Sequence, residues 1–191
     1  MAPSARGAII AKMSGERPGR IAPVIGSAAF LVLAPGIVAA CVPWALTRWE
    51  MKAPLFGLAP LRVAGIALVA IGLVGLLDSF RRFALEGLGT PAPVFPTRTL
   101  VVSGLYRFVR NPMYCGVVAM IAGQALLFGS SRLFLYAVAV WLAVHLFVVT
   151  CEEPRLHATY GAGYDEFRAS VPRWIPRLSP WRGSPSTSRG D

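Results

Sequence analysis

The sequence predicts an all-α membrane protein with about four transmembrane helices, and three observations lead to this fold class. Hydrophobic residues make up 55% of the 191 positions and charged residues only 15%, whereas soluble domains carry about a quarter charged residues. Four stretches hold no charged residue, and most of the positive charge lies on one side of them. These uncharged stretches are residues 21–47, 63–77, 111–131 and 133–151.

Each stretch is matched to a membrane span by its length. Crossing the hydrocarbon core takes about 20 apolar residues in a helix, and three of the stretches reach that length. The second reaches it by starting near Leu58, with Arg62 snorkelling to one surface and Asp78 ending the other side. The sequence therefore predicts helices at about 23–46, 58–79, 112–130 and 133–151.

The distribution of positive charge predicts the orientation. The ends of the chain and the loop between spans two and three hold 15 of the 19 Lys and Arg residues, and the two remaining loops hold 4. The positive-inside rule then places both termini in the cytoplasm. The net charge of +10 is thus a topology signal, and nucleic acid is not expected as a partner. Arg outnumbers Lys 17 to 2, a bias typical of bacterial genomes rich in G and C, which predicts the bacterial inner membrane.

The first half of the chain predicts anchoring structure. Residues 1–20 are polar and predicted to be disordered, and residues 21–82 carry two plain anchoring spans in which Asp78 pairs with Arg81 and Arg82 at helical spacing. In the following loop, residues 87–92 have the letters G-x-G-x-x-A. No strand precedes them, so a turn-rich loop is predicted instead of a dinucleotide site.

Spans three and four are predicted to form an antiparallel hairpin, because only the short turn 129–132 joins them. The start of span three and the end of span four then meet at the cytoplasmic face. Within the hairpin, Gln124 and a neutral His145 are expected to bond neighbouring helices. Cys41, Cys115 and Cys151 have neither paired nor metal-like spacing, so no disulfide and no metal site is predicted.

The start of the hairpin predicts an anion site. Asn111 and Pro112 suit the cap and the first position of a helix, and helix initiation alone would explain them. It does not explain Tyr106, Arg110 and Tyr114 beside them. A helix N-terminus next to an arginine favours a carboxylate ligand.

The far end of the hairpin predicts a cation site. Glu152 and Glu153 are adjacent at the expected helix end, where the helix dipole and their mutual repulsion disfavour them. They either reach water and pair with Arg155 and the basic loop, or hold a cationic ligand. A zwitterion such as S-adenosylmethionine would fit between the two ends. The tail beyond Pro154 is predicted to be cytoplasmic, with aromatic residues suited to the headgroup layer: Tyr160, Tyr164, Phe167, Trp174 and Trp181.

Two motifs of the C-terminal half resemble the isoprenylcysteine carboxyl methyltransferase family and its relatives, the phospholipid N-methyltransferases. The first runs from Leu105-Tyr106-Arg107 through Arg110-Asn111-Pro112-Met113-Tyr114 to Gly116. The second runs from Glu152-Glu153 through Tyr160-Gly161 and Tyr164 to Val171-Pro172-Arg173 and Pro176. The resemblance covers about residues 97–177. Asn-Pro-Met-Tyr is closer to the phospholipid enzymes, since many carboxyl methyltransferases have His where Asn111 stands.

The resemblance implies a cytoplasmic cofactor pocket for S-adenosylmethionine, built by a methyltransferase core at 83–182, with a disordered tail at 183–191. It implies Glu152 and Arg110 as catalytic residues. The implied cofactor contacts are Arg98, Thr99, Leu100, Val101, Tyr106, Asn111, Pro112, Met113, Tyr114, Glu152 and Glu153. The methyl acceptor would be a carboxylate or an amine on a lipid-like or small hydrophobic molecule reaching the site from the bilayer.

Three alternatives remain open at this point. A phosphatidylethanolamine-type N-methyltransferase would use Glu152 as a base. A non-catalytic membrane scaffold or transporter subunit would bind no cofactor, and a degenerate relative would bind it without turnover. The distribution of polar residues argues against the scaffold or transporter alternative, because these residues gather at one membrane edge and are sparse at the midplane, where transport sites usually lie.

Overall fold

The computed structural model describes residues 33–85 and 100–183, and every regular element in them is helical. The helices pack side by side, with α2, α3 and α4 the longest. They are α1 (Leu33–Thr47), α2 (Pro60–Leu85), α3 (Pro112–Phe128), α4 (Ser131–Phe147), α5 (Glu153–Tyr160) and α6 (Ala162–Ser170). Parts of the sequence predictions lie outside these residues, namely the disordered ends at 1–20 and 184–191, the start of the first span, and the turn-rich loop at 87–92.

In the part of the chain that the structure describes, two helical stretches are long and apolar enough to cross a membrane. They are Pro60–Arg82, and the 30 residues from Ser131 to Tyr160 that run through α4 and α5. Only 28% and 17% of their most apolar windows are buried within the protein, so most of their apolar surface faces outward. Within the described residues α1 and α3 are shorter, and α3 has 17 residues. Of the four predicted spans, two therefore reach the required length within the described residues.

Helices α2 and α3 lie against each other at backbone contact distance because glycines face glycines. A Cβ added at Gly65 would lie 2.6 Å from the carbonyl oxygen of Gly123, and one added at Gly72 would lie 2.6 Å from that of Gly116. The spacing of seven residues in both helices keeps these positions on one face. Small residues at such crossings let helices associate closely in lipid. The second predicted span is thus an integral part of the bundle as well as an anchor.

Polar side chains fasten α1 to the other helices. The Gln124 amide on α3 donates to the carbonyl of Ala39 at 2.7 Å and accepts from the Trp49 indole at 3.2 Å. The Tyr136 hydroxyl on α4 donates to the carbonyl of Val38 at 3.0 Å. The predicted structural role of Gln124 is confirmed.

The connection between α3 and α4 is as short as the sequence predicts. Gly129 takes the left-handed conformation (φ 66°) at the end of α3, a geometry that glycine adopts without steric cost. The Ser130 hydroxyl then caps α4 by accepting from the Leu133 amide at 3.3 Å.

The predicted helix end at residue 151 is wrong. The helix continues to Tyr160 through a π turn at Val148–Glu152, so Glu152 and Glu153 lie inside a helix and not at its C-terminus. Pro154 cannot donate a backbone hydrogen bond, which made a helix stop the natural expectation. Instead of ending before the proline, the helix passes through a wider π turn and continues. Single π turns of this kind often mark functional sites.

The end of the described chain folds back and forms a small core of its own. Tyr164, Phe167, Val171 and Trp181 are buried together, with Leu100 packed against them. The prediction that Tyr164, Phe167 and Trp181 lie in the headgroup layer is therefore wrong. Their apolar area is used to hold α6 against the segment that follows it.

Candidate active site

The loop before α3 is held by the last described segment, residues 172–182, which we name the C-terminal strap. Their backbones are joined by three bonds of 2.9 Å, from the Arg110 amide to Pro172, from the Arg177 amide to Phe108 and from the Trp181 amide to Arg107. The Arg107 guanidinium also donates to the Trp181 carbonyl at 2.6 Å. These bonds fix where the loop presents Arg110 and Asn111.

Asn111 occupies the N-cap position of α3, but its side chain does not cap the helix. Its amide donates instead to the carbonyl of Arg173 on the strap, at 3.2 Å. One turn further into α3, the Cys115 thiol lies 3.6 Å from the carbonyl of Trp174. Asn111 therefore fixes the strap to the helix start, a role that its position as a cap did not predict.

Glu153 is the centre of a buried ion network. Arg173 donates to both of its carboxylate oxygens, at 2.6 and 3.0 Å, and Arg110 donates to Oε1 at 3.0 Å. The Glu153 side chain is 8% exposed and that of Arg110 10%. Arg110 also donates to the Tyr164 hydroxyl at 3.3 Å. The bonds to Glu153 raise the pKa of the Arg173 guanidinium above its ordinary value.

Glu152 has a different environment although it is the next residue. Its carboxylate accepts one hydrogen bond, from the Tyr114 hydroxyl at 3.0 Å. Within the described ranges, no Lys, Arg or His lies within ion-pair distance of it. A carboxylate with no compensating cation and little solvent is disfavoured, so a cationic ligand would be stabilised there.

A second tyrosine stands beside this carboxylate. Tyr106 is buried, burial raises the pKa of its phenol, and both Glu152 and Tyr114 act on it electrostatically. Its hydroxyl also bonds Ser79 on α2. Ser79 thus brings α2 to the edge of the site, a contribution that the sequence did not predict.

The predicted site residues are only partly brought together. Tyr106, Tyr114 and Glu152 converge, and Arg110 and Glu153 form the adjacent network. Leu100 and Met113 pack in apolar clusters, Val101 and Pro112 are buried, and Asn111 bonds the strap. Arg98 and Thr99 lie outside the described residues.

Sequence reasoning missed Arg173 and Tyr164 as members of the site. Both stand in the second motif that carries the family resemblance, and Arg173 directly follows the Val171-Pro172 pair of that motif. His145 also has an unexpected partner. Its Nδ1 accepts from the Trp174 indole at 3.0 Å, so it bonds the strap and not another helix.

Comparison with known proteins identifies the family. A family model described as phospholipid methyltransferase matches residues 61–163, which is more than half of the chain and includes α2. This chain belongs to the phospholipid methyltransferase family. The match begins on α2, well before the motifs that suggested the resemblance. It therefore takes in the glycine contacts of α2 and α3 as well as Glu152 and Glu153.

One relative of this phospholipid methyltransferase family member is a yeast protein. The chain is 32% identical over 80 residues to the Protein-S-isoprenylcysteine O-methyltransferase of Schizosaccharomyces pombe, which covers 41% of this chain. The chain spans about a third of the length of that relative (34%). No solved structure gives a significant match.

Proposed function

We propose that this chain is an integral membrane methyltransferase that uses S-adenosylmethionine and methylates a lipid-like or small hydrophobic acceptor. The observation that carries the proposal is the Glu152 carboxylate, which has a tyrosine donor and no cation beside it among the described residues. Membership in the phospholipid methyltransferase family supports the reaction type. The likeness to the yeast relative, an O-methyltransferase by name, supports an oxygen atom as the methyl acceptor.

The charges beside the site fit both ends of the proposed cofactor. The Nε–H of Arg110 is buried and has no acceptor among the described residues, so it would donate to the carboxylate of the methionine moiety. Glu152, the residue immediately before Glu153, would hold the ammonium or sulfonium group of the cofactor. Backbone groups of Leu100, Val101 and 111–113 would line the rest of the pocket, with Arg98 and Thr99 as proposed further contacts.

The roles of the chain's own residues depend on the acceptor. The cofactor supplies an electrophilic methyl group on sulfur, whose bonding electrons stay with sulfur when the new bond forms. With a carboxylate acceptor no proton moves, and Glu152 stabilises positive charge while Tyr114 orients it. With an amine acceptor the nitrogen loses a proton, and Glu152 is placed to take it. Both cases need alignment and exclusion of water, which a rigid site supplies.

The proposed membrane arrangement has four spans with both termini in the cytoplasm of a bacterial inner membrane. α3 and α4 would form the transmembrane hairpin, with the Glu152 end at the cytoplasmic face, as the charge distribution predicts. The catalytic unit would combine the core predicted at 83–182 with α2. The acceptor would reach the pocket sideways from the bilayer.

The test is methyl transfer by the full chain in lipid nanodiscs with S-adenosylmethionine labelled in its methyl group. We expect label in an organic extract of host lipids, and loss of it in Glu152→Gln. Glu166→Gln is the matched control, since Glu166 is exposed on α6. Label released as methanol by mild base indicates a methyl ester, whereas base-stable label in phospholipid indicates the N-methyltransferase. A folded protein that neither binds the cofactor nor transfers label would support the non-catalytic scaffold instead.

A further inference from the structure

The C-terminal strap has two faces of different character. Trp181 points inward and is buried against Phe167, with ring centroids 5.5 Å apart. Ile175 and Leu178 point outward, with Ile175 78% exposed and Leu178 fully exposed. Two large aliphatic side chains held outward on a segment fixed by backbone hydrogen bonds have no partner within the described chain that would bury them. An apolar environment next to the strap would bury both side chains.

The contacts between the strap and α4 indicate which apolar environment adjoins the strap. Trp174, immediately before Ile175, bonds His145 and lies edge-on to Trp141, both on α4. The outer face of α4 is apolar and open, with Leu146 61% exposed. It belongs to one of the two helical stretches able to cross a membrane. The strap thus begins on the side of α4 that would face lipid, against Trp141 and His145 in the interior of that stretch.

The charge of the strap selects among membrane surfaces. Residues 172–182 contain three arginines and no acidic residue. Arg173 is engaged with Glu153, and Arg177 donates to the Ser170 carbonyl at 2.6 Å. Arg182 is exposed. Apolar side chains beside unbalanced arginines are the combination that binds anionic headgroups while inserting between acyl chains.

We propose that the strap docks on the bilayer, with Ile175 and Leu178 inserted below the headgroups and Arg177 and Arg182 paired with anionic lipids. Docking would hold Arg173 against Glu153, and so would fix the helix turn that carries Glu152. The inference rests on the proposed membrane placement of α4 and is independent of methyl transfer. It makes the strap a membrane-bound brace of the site and not a free cytoplasmic tail.

Depth-dependent quenching tests the proposal on the full chain in nanodiscs. Cys41, Cys115 and Cys151 are replaced by Ser, and a fluorophore is attached to single cysteines introduced by Ile175→Cys or Leu178→Cys. Leu146→Cys is the control for a lipid-facing position. Ala169→Cys is the control for a water-facing one, because Ala169 is exposed on the side of α6 opposite its buried face.

We expect a lipid-attached nitroxide to quench the labels at 175 and 178 several-fold more than the label at 169, and aqueous iodide to show the reverse order. Lipid quenching at 175 and 178 should weaken when anionic lipid is replaced by phosphatidylcholine, or in Arg182→Gln. If the label at 146 is quenched by lipid while those at 175 and 178 behave like 169, the docking proposal fails and the membrane span stands. Equal quenching in both lipid compositions would overturn the role of the arginines.

Discussion

Arg173 donates two hydrogen bonds to Glu153, from Nε at 2.6 Å and from a terminal nitrogen at 3.0 Å, across twenty residues of sequence. This planar, two-bond pairing fixes orientation as well as distance. Glu153 is the residue after Glu152 on the same helix. Through Arg173, the strap therefore fixes the rotation of the helix turn that carries Glu152. Arg173 itself need not touch any ligand.

Removal of this pairing should destabilise the protein. Arg173→Ala leaves Glu153 with Arg110 alone, and we expect a loss of about 1.5–3 kcal/mol in the free energy of unfolding, the usual range for hydrogen bonds to charged groups. Arg173→Lys should lose nearly as much, because an ammonium cannot form the two-bond geometry. Denaturation curves in detergent measure this, with exposed Arg155→Ala as the control. A stability equal to that of the control would contradict the structural role.

The two adjacent glutamates should respond oppositely to the same substitution. Glu153→Gln leaves two guanidinium groups, one of them buried, without their anion, and we expect a loss of about 3–5 kcal/mol in stability. Glu152→Gln removes a charge that no described cation balances, so stability should stay the same or rise. Cofactor binding, measured by calorimetry, should instead be lost in Glu152→Gln. The assignment of roles would be reversed if Glu152→Gln proved the less stable variant.

Tyr114→Phe tests the single hydrogen bond to Glu152. Loss of the donor removes an interaction of about 1.5–3 kcal/mol with a charged group, which corresponds to a decrease of about 10- to 150-fold in kcat/KM. Tyr136→Phe is the matched control, since that hydroxyl also makes one bond of 3.0 Å, but to α1. We expect the control to lower stability and leave methyl transfer per folded molecule unchanged. Equal activities of the two variants would remove Tyr114 from the site.

Helix contact between α2 and α3 predicts a contrast between two glycines of α2. Gly72→Ala places a methyl group 2.6 Å from the Gly116 carbonyl oxygen and should cost about 1–3 kcal/mol through forced separation of the helices. Gly75→Ala meets nothing nearer than a Leu105 methyl at 3.6 Å, an ordinary contact. It should be neutral or gain stability, because alanine favours a helix over glycine. Unfolding of both variants in the same detergent makes the comparison.

Local patterns predicted much of the fold. The helix start at 112 and the turn after 128 depend on Pro112 and on Gly129-Ser130. The conformational preferences of these residues act within a few positions of the chain. The ion pair between Asp78 and Arg82, at 2.8 Å, follows from helical spacing alone. Gathering of the two motifs at one end of the bundle follows from the short connection between α3 and α4, and it is confirmed by the bonds that join Arg110 to Glu153 and Tyr114 to Glu152.

Long-range pairing and backbone geometry explain what sequence reasoning missed. The sequence shows arginines and glutamates in the two motifs. It does not show that Arg110 and Arg173 both bind Glu153, because that pairing depends on how the strap folds back. The π turn before Pro154 was hidden, since a proline after two acidic residues indicates a helix end in most contexts. The glycines of α2 look like ordinary span residues until their partners on α3 are known.

The glycine contacts between α2 and α3 determine where the protein can be cut for expression. A fragment that begins after residue 97 would keep both motifs, yet it would leave the Gly116 and Gly123 surface of α3 without the backbone that packs on it. Such a fragment would also lack Ser79, the hydrogen-bond partner of Tyr106. The smallest piece that retains these contacts begins at Pro60 and ends after the strap, and removal of the preceding helix is the milder truncation.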